Sequence, residues 1–194
     1  MSSAVDICNQ ALLMLGSLPI ISFDDETVES SSCKTLYPTA KAQVLRSYPW
    51  RCATVVETLA LRAESPVDPS WQYSFAIPDD SLRVLEILQV TDSNKTVAYR
   101  PPWAVEGKSL MCNDTNIAAR YIKNIAEPQL DVHVEMALVG RIAVDLSYTL
   151  TASSSREAQL QQMFDLKLNE ARITDRQEAS HTSFKINKLD AVRR

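Results

Sequence analysis

The residues best suited to chemistry are few and scattered. His133 and His181 fall on an apolar helical stretch and in the C-terminal segment, and neither has a partner at the spacing of a zinc site or a nucleophile–base pair. Only three glycines occur in 194 residues, too few and too dispersed for a phosphate-binding loop. Asp79 and Asp80 are adjacent acids at a strand end, with Glu86 downstream, and paired carboxyls can act as acid and base in glycoside hydrolysis. Such carboxyls face each other across a cleft about 5 to 9 Å wide, whereas neighbouring turn residues point apart. The preferred reading is therefore a turn in which an Asp after Pro78 bonds its own backbone two residues on. Trp50, Trp71 and Trp103 suggest a stacking platform for sugars or bases, but no basic groove accompanies them, and they read as core and interface anchors. Cys8, Cys33, Cys52 and Cys112 show no Cys-x-x-Cys spacing and sit among apolar residues, so all four are expected to be buried thiols. The pattern predicts no catalytic site, no cofactor and no metal.

Composition narrows the class further. With 45% hydrophobic and 23% charged residues the chain is expected to be globular and able to bury a core. A net charge of −4 argues against a grip on nucleic-acid phosphates, so any contact with DNA should be passive. No run approaches the ~18 apolar residues of a membrane span, and Met1 to Asp6 lacks a basic segment followed by an apolar one; a cytoplasm-like compartment is expected, with no membrane partner.

The elements that position these residues alternate between two periods. Ser3 and Asp6 form a capping box for a first helix striped by Ile7, Ala11, Leu12 and Leu15, with Gly16 as its stop. Asp24 or Asp25 should cap a second helix carrying Cys33, Leu36, Tyr37, Ala40 and Val44 at steps of three and four. Pro49 ends it at about Ser47, making Tyr48, Pro49 and Trp50 a structural hinge. Period two then takes over, most plainly from Trp71 to Ile77, and strands are expected at Leu82 to Leu88, Val97 to Tyr99, Trp103 to Val105, Leu110 to Cys112 and Ala119 to Ile125. Helix returns after Pro128: one is apolar nearly all round, with an interior Gly140 that implies close approach of a neighbour and an Arg141–Asp145 pair. The other opens on a Ser154/Glu157 capping box and carries Leu160, Phe164, Leu168 and Ala171 on one face.

The fold class predicted is α+β: a four-helix bundle of two N-terminal and two C-terminal helices with an inserted antiparallel sheet or small sandwich. Its parts are 1–49 (helical), 50–125 (β insertion), 126–180 (helical, closing the bundle) and 181–194 (an extended tail).

Several ordered motifs resemble one family. Tyr37-Pro38 and Leu45-Arg46 lie on a long helix ending in Pro49-Trp50, followed by Cys52-Ala53 where the family has Phe-Ala. Before it come Asn9-x-Ala11-Leu12-x-x-Leu15-Gly16, Ile21-Ser-Phe23 and Asp25-x-Thr27; after it come Pro78-x-Asp80-x-Leu82-Arg83-Val84, Arg120-Tyr121-Ile122, Pro128 and the helix from Ala137 to Leu150. The chain in these respects resembles the tail tubular protein A, or head-to-tail adaptor, family of T7-like short-tailed bacteriophages. The resemblance implies a ring of twelve copies in the virion tail, between portal protein and tail nozzle protein and beside the tail fibres. The protein would be made in the host cytoplasm, and DNA would pass through the lumen without specific binding. The competing classes are a tail-associated glycan hydrolase and a non-viral helical interaction module. Under the family reading the tail is expected to bind the portal, with Phe184, Ile186 and Leu189 entering apolar grooves while Lys185, Lys188, Arg193 and Arg194 meet acidic rims.

Overall fold

In the computed structural model, which describes residues 2–90 and 100–179, the chain is mixed α+β, with four α-helices and two three-stranded antiparallel sheets. Helix α1 (Ala4–Leu15) starts at a capping box: the Ser3 hydroxyl accepts from the Asp6 amide and the Asp6 carboxylate accepts from the Ser3 amide. Gly16 ends it in the left-handed conformation at φ 74°, where a side chain would be strained. Helix α2 (Val28–Arg46) runs unbroken through Pro38. Its cap is Thr27, not Asp24 or Asp25. Those two acids are engaged elsewhere: Asp25 accepts from the Ile21 and Ser22 amides, and Asp24 pairs with Lys34.

Strands β1 (Thr54–Thr58), β6 (Ile117–Lys123) and β3 (Ser81–Gln89) form one sheet in the order β1-β6-β3. Strands β2 (Tyr73–Ala76), β5 (Ser109–Cys112) and β4 (Trp103–Glu106) form the other, in the order β2-β5-β4. The alternation from Trp71 to Ile77 overstates β2. Its ladder partner β5 ends at Cys112, and the next amide, that of Gln72, donates to the Asn113 side chain instead. Strand β6 starts earlier than Ala119 and stops at Lys123, because the Asn124 amide turns to the Asp80 carbonyl while Ile125 enters the helical core. The Val97 to Tyr99 strand lies outside the described residues.

Two hydrophobic cores meet on the β1-β6-β3 sheet. Ile117, Ala119 and Tyr121 point from β6 toward the second sheet and pack with Phe75, Ile87, Leu110 and Cys112. Ile122 points the other way, into a larger core with Ile7, Leu12, Leu45, Leu138 and Ile142 of the helices. Strand β3 serves both sides through bulges between Ser81 and Arg83 and between Val84 and Glu86, which send Leu82 and Leu85 to the helices while Val84 and Ile87 face the second sheet.

Helix α3 (Val132–Thr151), preceded by a 3-10 turn at Glu127–Gln129, packs against α1, α2 and α4 (Ser154–Glu178). Ser153, not Ser154, caps α4, and the third helical residue is then Arg156, so the Ser154/Glu157 box is not formed. Leu160, Phe164, Leu168 and Ala171 are the buried face of α4. A Cβ placed on Gly140 would sit 3.5 Å from the Phe164 Cα, ordinary van der Waals contact, so α4 is close but does not demand glycine there. Arg141 and Asp145 pair at 2.6 Å, yet burial outweighs Arg141 and pushes the Asp145 carboxyl up.

Glu127 fastens the 3-10 turn to α2: Lys41 Nζ donates to its carboxylate at 2.8 Å and the Tyr37 hydroxyl at 2.9 Å. Burial pushes this carboxyl up, but Lys41, its own backbone amide and Tyr37 together outweigh burial and hold it below the ordinary value of 4.5. A carboxyl lowered on folding stabilises above its unfolded pKa, and that contribution disappears as pH falls through the folded value. Glu127→Gln should therefore destabilise by about 2 kcal/mol at pH ~7, leaving Lys41 poorly partnered. Denaturant titrations should show the gap from wild type closing as pH drops below about 4. A gap independent of pH would contradict the ion-pair origin.

Candidate functional site: the joint between helices and sheets

Tyr48, Pro49, Trp50 and Arg51 occupy the turn where α2 meets β1. Pro49 cannot donate to a continuing helix, and Ser47 closes α2 as its C-cap. Trp50 folds back underneath. It has no exposed surface, and its indole Nε1 donates at 2.9 Å to the carbonyl of Val44, a last-turn acceptor that also takes the Ser47 hydroxyl at 2.8 Å. The Tyr48 ring meets the Trp50 ring edge-on at 4.8 Å between centroids. Cys52, alone among the four cysteines, is only half-buried, and desolvation pushes its thiol up. Cys8 and Cys33 lie together between α1 and α2; their thiol hydrogen bond, with burial, pushes Cys8 strongly up, and the same bond lowers Cys33.

The end of α4 closes on this turn. The Arg51 amide donates to Asp175 at 3.0 Å, its guanidinium pairs with Glu178 at 2.6 Å, and Arg176 lies over the Tyr48 ring at 5.6 Å. From α2, Arg46 donates at 2.8 Å to the Leu82 carbonyl of β3. Directly after the turn, the Ala53 carbonyl accepts from Lys123 at the end of β6. Between Arg46 and Ala53 the chain thus bonds α2, α4, β3 and β6 together. Sequence reading identified Tyr48, Pro49 and Trp50 but not Asp175, Arg176 or Glu178. Their only sequence mark is charge in the last turns of an amphipathic helix, which names no partner.

The acids considered for hydrolysis are dispersed. Asp79 pairs with Lys108 at 2.9 Å, which holds its carboxyl below the usual carboxylate range, the opposite of what a general acid requires. Asp80 pairs with Lys123 at 2.9 Å. Neither carboxylate bonds its own backbone as the turn pattern suggested, because both find lysines on neighbouring strands and turns. Glu86 is held between Arg100 and Arg120. An open groove of about 500 Å³ holds Asp79 and Trp103 with Arg46, Leu82, Arg83 and Lys108, but neither Asp80 nor Glu86.

One carboxylate pair, Asp80 and Glu57, carries no mark in the sequence, where 22 positions lie between them. Tyr121 donates to Glu57 at 2.8 Å, and Lys123 lies 3.6 Å from Glu57. Burial, with Glu57 next, pushes the Tyr121 hydroxyl up, and Lys123 is raised chiefly by Asp80. A lysine that pairs with both carboxylates braces a strand end.

Trp71 and Trp103 are half-buried and form no platform with the buried Trp50. His133 is exposed in the first turn of α3. No metal-ligand cluster occurs among the described residues. His181 and the tail residues Phe184, Lys185, Ile186, Lys188, Leu189, Arg193 and Arg194 lie outside them. No described helix is long and apolar enough to cross a membrane. Compared with protein-family models and with curated protein sequences, the chain matches none.

Removing the Trp50 side chain would open a cavity and leave the Val44 carbonyl to Ser47 alone. Trp50→Ala should cost about 3 to 5 kcal/mol, and thermal melting followed by circular dichroism reads it. An unchanged midpoint would remove the joint from the account.

Proposed function

We propose that this chain is a structural, non-catalytic head-to-tail adaptor of a bacteriophage virion. It would form a ring between portal and nozzle and line the channel through which the genome leaves. The observation that carries this reading is where Asn9, Asp25, Thr27, Trp50 and Leu82 of the family resemblance fall: they are joints, not surfaces for chemistry. Asn9 clamps the connector after α1 by accepting from the Ile20 amide at 2.8 Å and donating to its carbonyl at 2.9 Å. Asp25 and Thr27 fix the same connector and cap α2, Trp50 fixes the helix–sheet turn, and Leu82 packs sheet to helices. A motif set devoted to rigidity suits a protein whose task is mechanical.

In this reading the four helices act as a bundle around α3, and the β unit, built between residues 50 and 125, projects from it as a second contact surface. A closed ring needs two different complementary faces on each subunit, and two structural modules on one rigid frame provide them. The acidic balance of −4 keeps a lumen from holding passing phosphates.

Mass measurement of the isolated protein and of its complex with portal-bearing capsids tests the proposal. A monomer alone and twelve copies on the portal is the expected outcome. A dimer under both conditions, or glycan cleavage that vanishes in Asp80→Asn with the fold intact, would overturn it.

A further inference from the structure

The first 33 residues contain Asp6, Asp24, Asp25, Glu26 and Glu29 and no lysine, arginine or histidine. Within this acidic region the connector between α1 and α2 turns apolar side chains outward: Leu18 is 80% exposed and Ile21 91%, flanked by Leu13 at 73% and Val28 at 64%. Loose loops often expose such residues, but this connector is pinned. Asn9 holds both backbone groups of Ile20, Asp25 accepts from the Ile21 and Ser22 amides, and the Ser30 hydroxyl donates to the Ser22 carbonyl at 2.9 Å. A fixed backbone that presents leucine and isoleucine to water in a stretch carrying Asp25, Glu26 and Glu29, with Lys34 drawn onto Asp24, is a preorganised docking surface for an apolar, basic segment.

Such a segment exists in the same chain. Residues 180–194 carry Phe184, Ile186 and Leu189 among Lys185, Lys188, Arg193 and Arg194, with one acid, Asp190. It cannot serve its own connector fully. Arg156, near the start of α4, donates to the Met14 carbonyl beside the connector, while Asp175 and Glu178 at the other end bind Arg51. At 1.5 Å per residue those ends of α4 are about 35 Å apart. An extended chain spans at most about 3.5 Å per residue, so Phe184 stays within ~18 Å and Ile186 within ~25 Å of Ala179, short of the connector, and only Leu189 and the residues after it reach ~35 Å or more.

We infer that the acidic–apolar connector of one subunit receives the basic–apolar C-terminal segment of a second copy. The contact is head-to-tail, using different surfaces on the two partners, and repeats around a closed ring. It rests on the ring proposed above and supplies one of its subunit contacts. It also redirects to a neighbouring subunit the segment that sequence reading sends to the portal.

Full-length protein with Phe184 replaced by photoreactive benzoylphenylalanine, mixed as isotopically light and heavy chains and irradiated with and without portal-bearing capsids, tests it. Crosslinks should join light to heavy copies and map to residues 13–29. The exposed double substitution Leu18→Ser, Ile21→Ser should lower their yield roughly tenfold or more with the melting point unchanged. Crosslinks confined to one copy, directed only to the portal, mapping to another surface, or insensitive to the double substitution would each overturn the inference, as would none. If mass measurement still finds the ring in those cases, the adaptor reading stands and only this contact fails.

Discussion

Strand β6 is buried on both faces except at Arg120 and Lys123, and this constraint shapes the rest of the molecule. Ile117, Ala119 and Tyr121 on one side and Ile122 on the other are all fully or almost fully buried. A strand buried on both faces needs two covers, and the chain provides them from different sources: the helices on one side, the β2-β5-β4 sheet on the other. It also needs partners along both edges, which are β1 and β3. A fully buried Ile, Leu or Phe contributes about 1.5 to 3 kcal/mol, so loss of either cover would expose a large part of the protein's net stability.

The joint at Trp50 follows from that arrangement. The chain must leave the helical layer and enter the sheet at a steep turn, where the last carbonyls of α2 need donors. The Trp50 indole joins the Ser47 hydroxyl on the Val44 carbonyl while filling space beneath the turn. Arg51, Asp175 and Glu178 then fasten the distant end of α4 to the same place. Helices and sheets consequently share a strand and a turn, which suits a part that must pass force between neighbours without deforming.

Much of the helical layer was legible in the sequence because its signals are local. Ser3, Asp6 and Gly16 mark α1 within one turn of each end, and Leu160, Phe164, Leu168 and Ala171 show the buried face of α4 directly. The cap of α2 was misread because three acids and a threonine compete there, and Asp25 satisfies loop amides instead. A single sheet and a small two-sheet sandwich were both open from the sequence, and the strand order within the two sheets was not legible. Bulges in β3 break its period, and after β1 the chain crosses between sheets, Leu61 bridging to Phe75. The contacts of the joint were least visible of all, since 124 residues separate Arg51 from Asp175. Asp79 and Asp80 looked like a candidate pair by adjacency, yet their side chains go to different lysines.

If helices and sheets form one mechanical body, they must also open as one. Native-state hydrogen exchange across a denaturant series reads this directly, by comparing amides of Ala119 to Ile122 in β6 with those of Leu138 to Val144 in α3. The account predicts that both groups exchange only through global unfolding, with one shared free energy and one denaturant slope. Exchange of the β6 amides at markedly lower free energy and shallower slope, while α3 stays protected, would show two separable units and contradict it.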